Sequence, residues 1–187
     1  MHANRSGSYG ASASREGCAV LSAASAAGRR MLTEVEAKAL LASHGIPVPQ
    51  GGMVTELAVA EELAERIGYP VVVKGVSASV SHKTEAGLVE LGITDRDALC
   101  DAYGRVRARG GAELCGVLVE RQLPRERELV VGLTRDRQFG PVVMCGLGGV
   151  AMEVVDDVAF ALAPVTHSEA LDLMTSIRSR RVLDEFR

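Results

Sequence analysis

The chain has 187 residues, enough for one ordinary domain or for two small lobes sharing a cleft. Apolar residues make up 47% and aromatic residues 3%, with no Trp, so a core is within reach but must be built from Val, Leu, Ala and Met. A formal charge of −3 gives no electrostatic case for nucleic acid or an anionic membrane surface, and any bound anion must be held by local cations.

Residues 1 to 30 are rich in Ser, Ala and Gly and carry four arginines against one Glu, superficially like a transit peptide. They show no amphipathic periodicity and are expected to form a disordered leader ahead of one domain over 31–187. Thr33 followed by Glu36 is a capping-box pattern before an Ala/Leu-rich stretch, so a helix should start there and stop at Gly45, before Pro47. A second helix is expected from Thr55 to Ile67, with Leu57, Ala60, Ala64 and Ile67 on one side and Gly68 as its stop. Pro70 to Val73 reads as a strand buried on both faces, closed by Lys74 and followed by a small-residue loop. Leu88 to Ile93 reads as the next strand. Asp95 should cap a third helix, buried along Leu99, Ala102 and Val106 and ended by Gly110-Gly111.

Two further apolar runs, Gly116 to Gln122 and Glu128 to Leu133, read as an antiparallel pair. A turn at Arg135-Asp136-Arg137 leads to a strand from Pro141 to Cys145. Thr166 with Glu169 starts a last helix, with Leu171, Met174 and Ile177 at helical spacing. Helices alternating with short strands indicate an α+β fold. The four cysteines, Cys18, Cys100, Cys115 and Cys145, show no C-x-x-C pairing and no histidines at zinc spacing. A reduced, cytoplasmic protein is expected, and no window approaches the roughly 18 apolar residues that span a bilayer.

The chemistry concentrates in Tyr69-Pro-Val-Val-Val-Lys74-Gly-Val-Ser-Ala-Ser-Val-Ser-His82-Lys83-Thr-Glu-Ala-Gly87. A lysine closing a buried strand must reach water or meet an anion. Phosphate suits both Lys74 and Lys83, because an ammonium is a point charge that follows phosphoryl oxygens. The plain alternative is a strand-end lysine with a solvated head. His82 either donates to phosphate or orders the loop. Gly146-Leu-Gly148-Gly149-Val-Ala151 also fits the dinucleotide fingerprint G-x-G-x-x-A, with Glu169 as a later acid, but Pro164 interrupts the helix and no full βαβ unit follows. Asp156 and Asp157 offer oxygen ligands suited to Mg²⁺, or form a solvated acidic pair.

These segments sit in order with Leu32-Thr-Glu-Val-Glu-Ala-Lys-Ala-Leu-Leu, Gly45-Ile-Pro-Val-Pro, Gly116-Val-Leu-Val-Glu120, Glu128-Leu-Val-Val-Gly132, Asp136-Arg-Gln-Phe-Gly140-Pro-Val-Val-Met, Gly146-Leu-Gly-Gly-Val-Ala-Met-Glu153 and Leu162-Ala-Pro164-Val. In that order they resemble the ATP-grasp domain of the NDP-forming acyl-CoA synthetases, the acetate–CoA ligase (ADP-forming) family related to succinyl-CoA synthetase. The resemblance covers nearly everything after about Arg30. It implies an ATP-grasp fold, two small α+β lobes with the nucleotide between them. It implies ATP/ADP held by Lys74, Lys83 and the glycines Gly87, Gly146, Gly148 and Gly149, with Mg²⁺ shielding the phosphates. Glu120 falls on the hinge strand whose backbone reads adenine, and Glu128 on an acidic position associated with the ribose. The alternative for both is a cross-strand partner for Arg121 or Arg127. Glu153, grouped with His82 as a candidate catalytic residue, matches an acid that assists a phosphohistidine visiting the ATP site; its alternative is a helix N-terminal acid.

The reaction so implied is acid + CoA + ATP to acyl-CoA + ADP + phosphate, through acyl phosphate and phosphohistidine. CoA and the phosphorylated histidine would lie on a partner domain or subunit, making a hetero-oligomer. The rival is an inactive or regulatory nucleotide-binding module, or a gene fragment without turnover. Two departures stand out. Gly87-Leu88-Val89 replaces the family's Gly-Gly-Val, which is expected to restrict backbone approach to phosphate. The chain also stops at Arg187, soon after Leu183-Asp-Glu-Phe, where the family continues to an Asp-x-Asn-Pro segment with its principal metal ligands, so the domain is expected to be incomplete at its C-terminus.

Overall fold

Period-two alternation in two central strands decides the layering of the first half of the chain. The structure is a computed structural model that describes residues 14–78, 86–124, 128–149, 157–178 and 180. It divides into two units, Met1–Leu123 and Pro124–Arg187. In the first, β1 (Gly51–Val54), β2 (Val71–Val76), β3 (Val89–Ile93) and β4 (Gly116–Arg121) form an antiparallel sheet in the order β1-β4-β2-β3. Val71 and Val73 of β2 and Val117 and Val119 of β4 share one face, each fully buried. That face packs on Ala60 and Ala64 of α3 (Leu57–Ile67) and on Leu99, Ala102 and Val106 of α4 (Arg96–Gly110). Val72, Lys74, Leu118 and Glu120 alternate onto the opposite face.

The helix boundaries follow local chemistry. The α2 helix (Glu34–Ser43) opens on the expected capping box, Thr33 Oγ1 accepting from the Glu36 amide at 3.3 Å while the Glu36 carboxylate accepts from the Thr33 amide at 2.7 Å. Gly68 ends α3 at φ 81°, where a side chain would be strained. The Asp95 carboxylate caps α4 at the Ala98 amide.

Four expectations need correction. The stretch 1–30, expected as a disordered leader, contains helix α1 (Arg15–Ala26). Ser14 caps it through the Gly17 amide at 2.9 Å, and Gly17 lets it lie so close to α2 that a Cβ there would meet Ser43 Oγ at 2.9 Å. Ala-rich propensity plus this one tertiary seat makes the helix, and neither leaves a period in the sequence. The runs 116–122 and 128–133 do not pair, because both edges of β4 are already taken by β1 and β2. The second run instead becomes β5 (Leu129–Asp136), which pairs with β6 (Gly140–Leu147) in the second unit. Strand β6 extends two residues beyond the expected Cys145, and β1 and β7 (Val158–Leu162) were not foreseen.

The second sheet is antiparallel in the order β5-β6-β7. Asp136 turns the β5–β6 hairpin by accepting from the Gln138 and Phe139 amides at 2.7 and 2.9 Å. Helix α5 (His167–Ser176) starts on the expected Thr166–Glu169 capping box. Ile177, just past its end, is buried as expected and Met174 is half-buried, whereas Leu171 is 49% exposed and Leu173 is the buried residue within the helix.

Arg29 reaches Glu36 with two bonds, at 2.8 and 2.6 Å. Those bonds, with the Thr33 amide, hold the Glu36 carboxyl down to about 2 from its usual 4.5. A depressed carboxyl contributes stability that is present above pH 4.5 and is lost as the pH falls towards 2. Glu36→Gln should therefore lower stability at pH 7 by about 1 kcal/mol, the upper end for a partly exposed ion pair. Urea unfolding followed by circular dichroism should also show a flatter fall between pH 4.5 and 2 than in the parent.

Candidate functional site

Lys74 is the fourth of six residues in β2, so it lies within the strand rather than closing it. Val72 faces Glu120 across the β2–β4 ladder and Lys74 faces Leu118, which makes Lys74 and Glu120 diagonal neighbours on one face. The Lys74 ammonium donates to Glu120 Oε1 at 2.6 Å and to Glu34 Oε1 at 2.7 Å. Helix α2 brings Lys38 one turn after Glu34, and the Lys38 ammonium donates to Glu34 Oε1 at 2.8 Å and to Glu120 Oε2. The result is a closed ring of two carboxylates and two ammoniums. Glu120 is 3% exposed, and each of its oxygens takes one lysine.

Burial alone would push the Lys74 ammonium down. The bonds from Glu120 and Glu34 outweigh that, and the lysine is held above its ordinary pKa. Its charge is fixed at any physiological pH. Arg121, one of the alternative partners for Glu120, makes none of these contacts, and Arg127 lies outside the described residues. The amides that follow it are engaged, Arg121 donating to Gln50 O at 2.7 Å and Gln122 to Pro70 O at 2.9 Å.

A pocket of about 190 Å³ opens beside the ring, between α2 and the β1–β4 edge. Val35, Ala39 and Leu118 give it apolar walls, and Lys38 and Glu120 form its polar end. Gly51, opposite Glu120 in the ladder, permits this close approach: a Cβ there would collide with the Val119 carbonyl and with Glu120.

Gly87 adopts φ 66° and its carbonyl accepts from Arg109 Nη1 at 2.9 Å. Leu88, the departure from the family pattern, is 2% exposed and packs over Gly75, whose amide donates to the Leu88 carbonyl at 2.8 Å. His82 and Lys83 lie outside the described residues, as do Glu153 and Asp156.

In the second unit the Glu128 carbonyl accepts from the Gly148 amide at 2.7 Å, and its carboxylate lies where a Cβ on Gly149 would collide with it. Gly149 has φ 64°, a backbone conformation that favours glycine. Gly146 is a strand residue of β6, pressed against Val158 of β7, rather than part of a loop. Because β6 and β7 are antiparallel neighbours, no βαβ unit surrounds the glycines and the dinucleotide fingerprint has no structural context. Asp157 is buried, and its carboxylate accepts from the Arg178 amide at 2.8 Å, so it is not the solvated acid of the plain reading. Among the described residues no three His, Cys, Asp or Glu side chains converge as a metal-binding group.

Of the residues singled out from sequence, Lys74 and Glu120 meet in the first unit and Glu128, Gly148 and Gly149 in the second. Glu34 and Lys38 were missed. Their i,i+4 spacing on a capped helix was a visible signal, but such pairs normally face water. An experiment follows from the ring itself. Glu120→Leu leaves Lys74 half-buried beside one shared carboxylate and should destabilise the protein by about 3 kcal/mol in urea unfolding. Adding Lys74→Met should recover much of that loss, because it removes the half-buried ammonium that Glu120 neutralised.

The ATP-grasp domain family matches residues 23–187. The chain is 41% identical over 159 residues to the beta subunit of acetate–CoA ligase [ADP-forming] I of Pyrococcus furiosus, a match covering 82% of this chain and 68% of the relative. The chain thus spans about two thirds of the length of that subunit. Among solved structures it is similar to the dinucleotide forming acetyl-coenzyme A synthetase 1 of Ca. Korarchaeum cryptofilum in complex with coenzyme A, Ca-AMPCP and HgCl+, with a TM-score of 0.86 and 36% identity over 90% of this chain and 76% of that one. A second structure of that synthetase, with coenzyme A and Mg-AMPPCP and its phosphohistidine segment pointing towards the nucleotide binding site, gives a TM-score of 0.79 and 36% identity over 91% and 75%.

Proposed function

The chain belongs to the ATP-grasp family, with the beta subunits of ADP-forming acyl-CoA synthetases as its homologues, and we propose that it holds the nucleotide end of that ligase reaction. The reaction is acid + CoA + ATP to acyl-CoA + ADP + phosphate through acyl phosphate and phosphohistidine. The observation that carries this reading is Lys74, a fixed cation in the middle of a buried strand, on the sheet face opposite the hydrophobic core.

In this reading Lys74 and Lys83 hold the phosphates, and the backbone at Gly87, Gly148 and Gly149 lets them approach closely. Glu128 serves the ribose hydroxyls, a task for which an exposed carboxylate beside a glycine turn is suited. Glu153 steadies a histidine that arrives from a CoA-binding partner, as the phosphohistidine segment of the Korarchaeum synthetase does in pointing to its nucleotide site. Catalysis is then positioning and electrostatics, since the transferring phosphoryl group needs little covalent help. Mg²⁺ would shield the phosphates; its ligands are not found among the described residues. We place the protein in the cytoplasm with its four cysteines free, and no helix among the described residues is long and apolar enough to cross a membrane.

Lys74→Ala should weaken ATP binding by more than about 1 kcal/mol, the scale of a charge-assisted contact. Calorimetry showing unchanged affinity in a folded variant would remove Lys74 from the site. Glu153→Gln should leave nucleotide affinity nearly intact and lower histidine phosphorylation when the CoA-binding subunit is supplied; equal phosphorylation in variant and parent would return Glu153 to a helix-dipole role.

A further inference from the structure

We infer that Gln122 is a positioning residue for recognition of the nucleotide base: its side chain, tied to a bulge in β3, fixes the backbone at the end of β4 against which the base is read. The inference rests on the reading of that strand end as the adenine-contacting segment. Its own basis is the geometry of the sheet.

Between the pairs Val71–Ile93 and Val73–Glu90, strand β3 has two residues, Leu91 and Gly92, where β2 has one, Val72. That is a β-bulge, and Gly92 takes φ 72°, the left-handed conformation that suits glycine in a bulge. The Gly92 amide donates to Gln122 Oε1 at 2.6 Å, a bond that reaches past the start of β2, the strand between β3 and β4. The main chain is held at the same place. The Gln122 amide donates to Pro70 O at 2.9 Å and the Arg121 amide to Gln50 O at 2.7 Å. The end of β4 is thus bonded at once to β3 and to the residues just before β1 and β2.

Leu123 follows as the last residue of the first unit, 59% exposed and with no hydrogen bond from its amide among the described residues. With the amides of Arg121 and Gln122 taken, the donor left to a base beside them is that of Leu123, one peptide beyond the side-chain bond. Releasing Gln122 frees that peptide to rotate, so a donor aimed at adenine N1 loses its aim while the hold on phosphate is unchanged. Guanine carries an N–H at N1 where adenine carries an acceptor, and an aimed amide therefore discriminates between them.

The test is calorimetric titration of the 187-residue chain with ATP, GTP and inorganic tripolyphosphate, beside urea unfolding of each variant. The parent should prefer ATP to GTP. Gln122→Met keeps the length and loses the acceptor. It should weaken ATP binding roughly fivefold, the scale of one hydrogen bond, and leave GTP and tripolyphosphate binding as in the parent. Gln122→Asn falls one methylene short of Gly92 and should do the same, which keeps the test decisive if Gln122→Met does not fold. Gln122→Glu keeps an acceptor for the Gly92 amide and should keep the parent's ATP-to-GTP ratio.

An unchanged ratio in folded Gln122→Met or Gln122→Asn, or equal losses for all three ligands, would overturn the inference and leave Gln122 as a partner for the bulge alone. A ratio lost in Gln122→Glu would do the same. If the parent binds ATP and GTP alike, the adenine-contacting reading of the strand end falls and takes the inference with it. If the parent binds none of the three ligands, the nucleotide reading itself falls.

Discussion

Glu120 is a carboxylate sealed under a helix, and the face of the first sheet that carries it is organised around the need to neutralise it. Removing an ion from water costs several kcal/mol unless its lone pairs are met by opposite charge in good geometry. Two lysines from different elements meet that need, Lys74 from the neighbouring strand and Lys38 from α2. Glu34 then balances the second positive charge that this solution introduces. Helix α2 has no buried residue, so its seat on the sheet depends on this ring and on α1 rather than on a hydrophobic stripe.

The sheet separates the two kinds of cohesion cleanly. On one face, valines from β2 and β4 and small residues from α3 interlock without aromatic bulk, as a composition with few aromatics and no Trp requires. The other face carries charge because strand residues alternate, and a one-residue slip of β2 would exchange Lys74 for a valine and place the ammonium in the core. The hydrophobic face therefore fixes the register that aims Lys74. A change in the core at Val73 or Val119 would reach the site through register, with no contact to it.

Legibility in the sequence tracked the range of the forces involved. Caps at Thr33, Asp95 and Thr166 were readable because a cap is a local bond between near neighbours. The buried stripe of α4 was readable because 3.6-residue spacing is local too. Strand partners were not, since β4 has two edges and only the completed sheet shows that both are occupied. The short β1 escaped for a related reason: its hydrogen bonds come from β4, far away in the chain, and its own residues carry little signal. Lys74 was legible as an unusual cation in a buried run, but its carboxylates were not. Glu34 lies 40 residues before it and Glu120 46 after.

Leu88 shows how a departure from a family pattern acquires a physical meaning. On sequence alone, replacing glycine there reads as a restriction on the backbone next to a phosphate loop. In the fold its side chain is almost fully buried over Gly75, a position whose lack of a Cβ leaves the space that Leu88 fills. Burying a leucine contributes about 1.5–3 kcal/mol, more than glycine could at that position. The Gly75 amide bond to the Leu88 carbonyl and the Arg109 bond to the Gly87 carbonyl tie the same short stretch to β2 and α4. Val76 at the end of β2 and Leu88 just before β3 are both buried in this packing. Moving either Val76 or Leu88 would expose core, so the two positions are held by the same packing that holds the sheet.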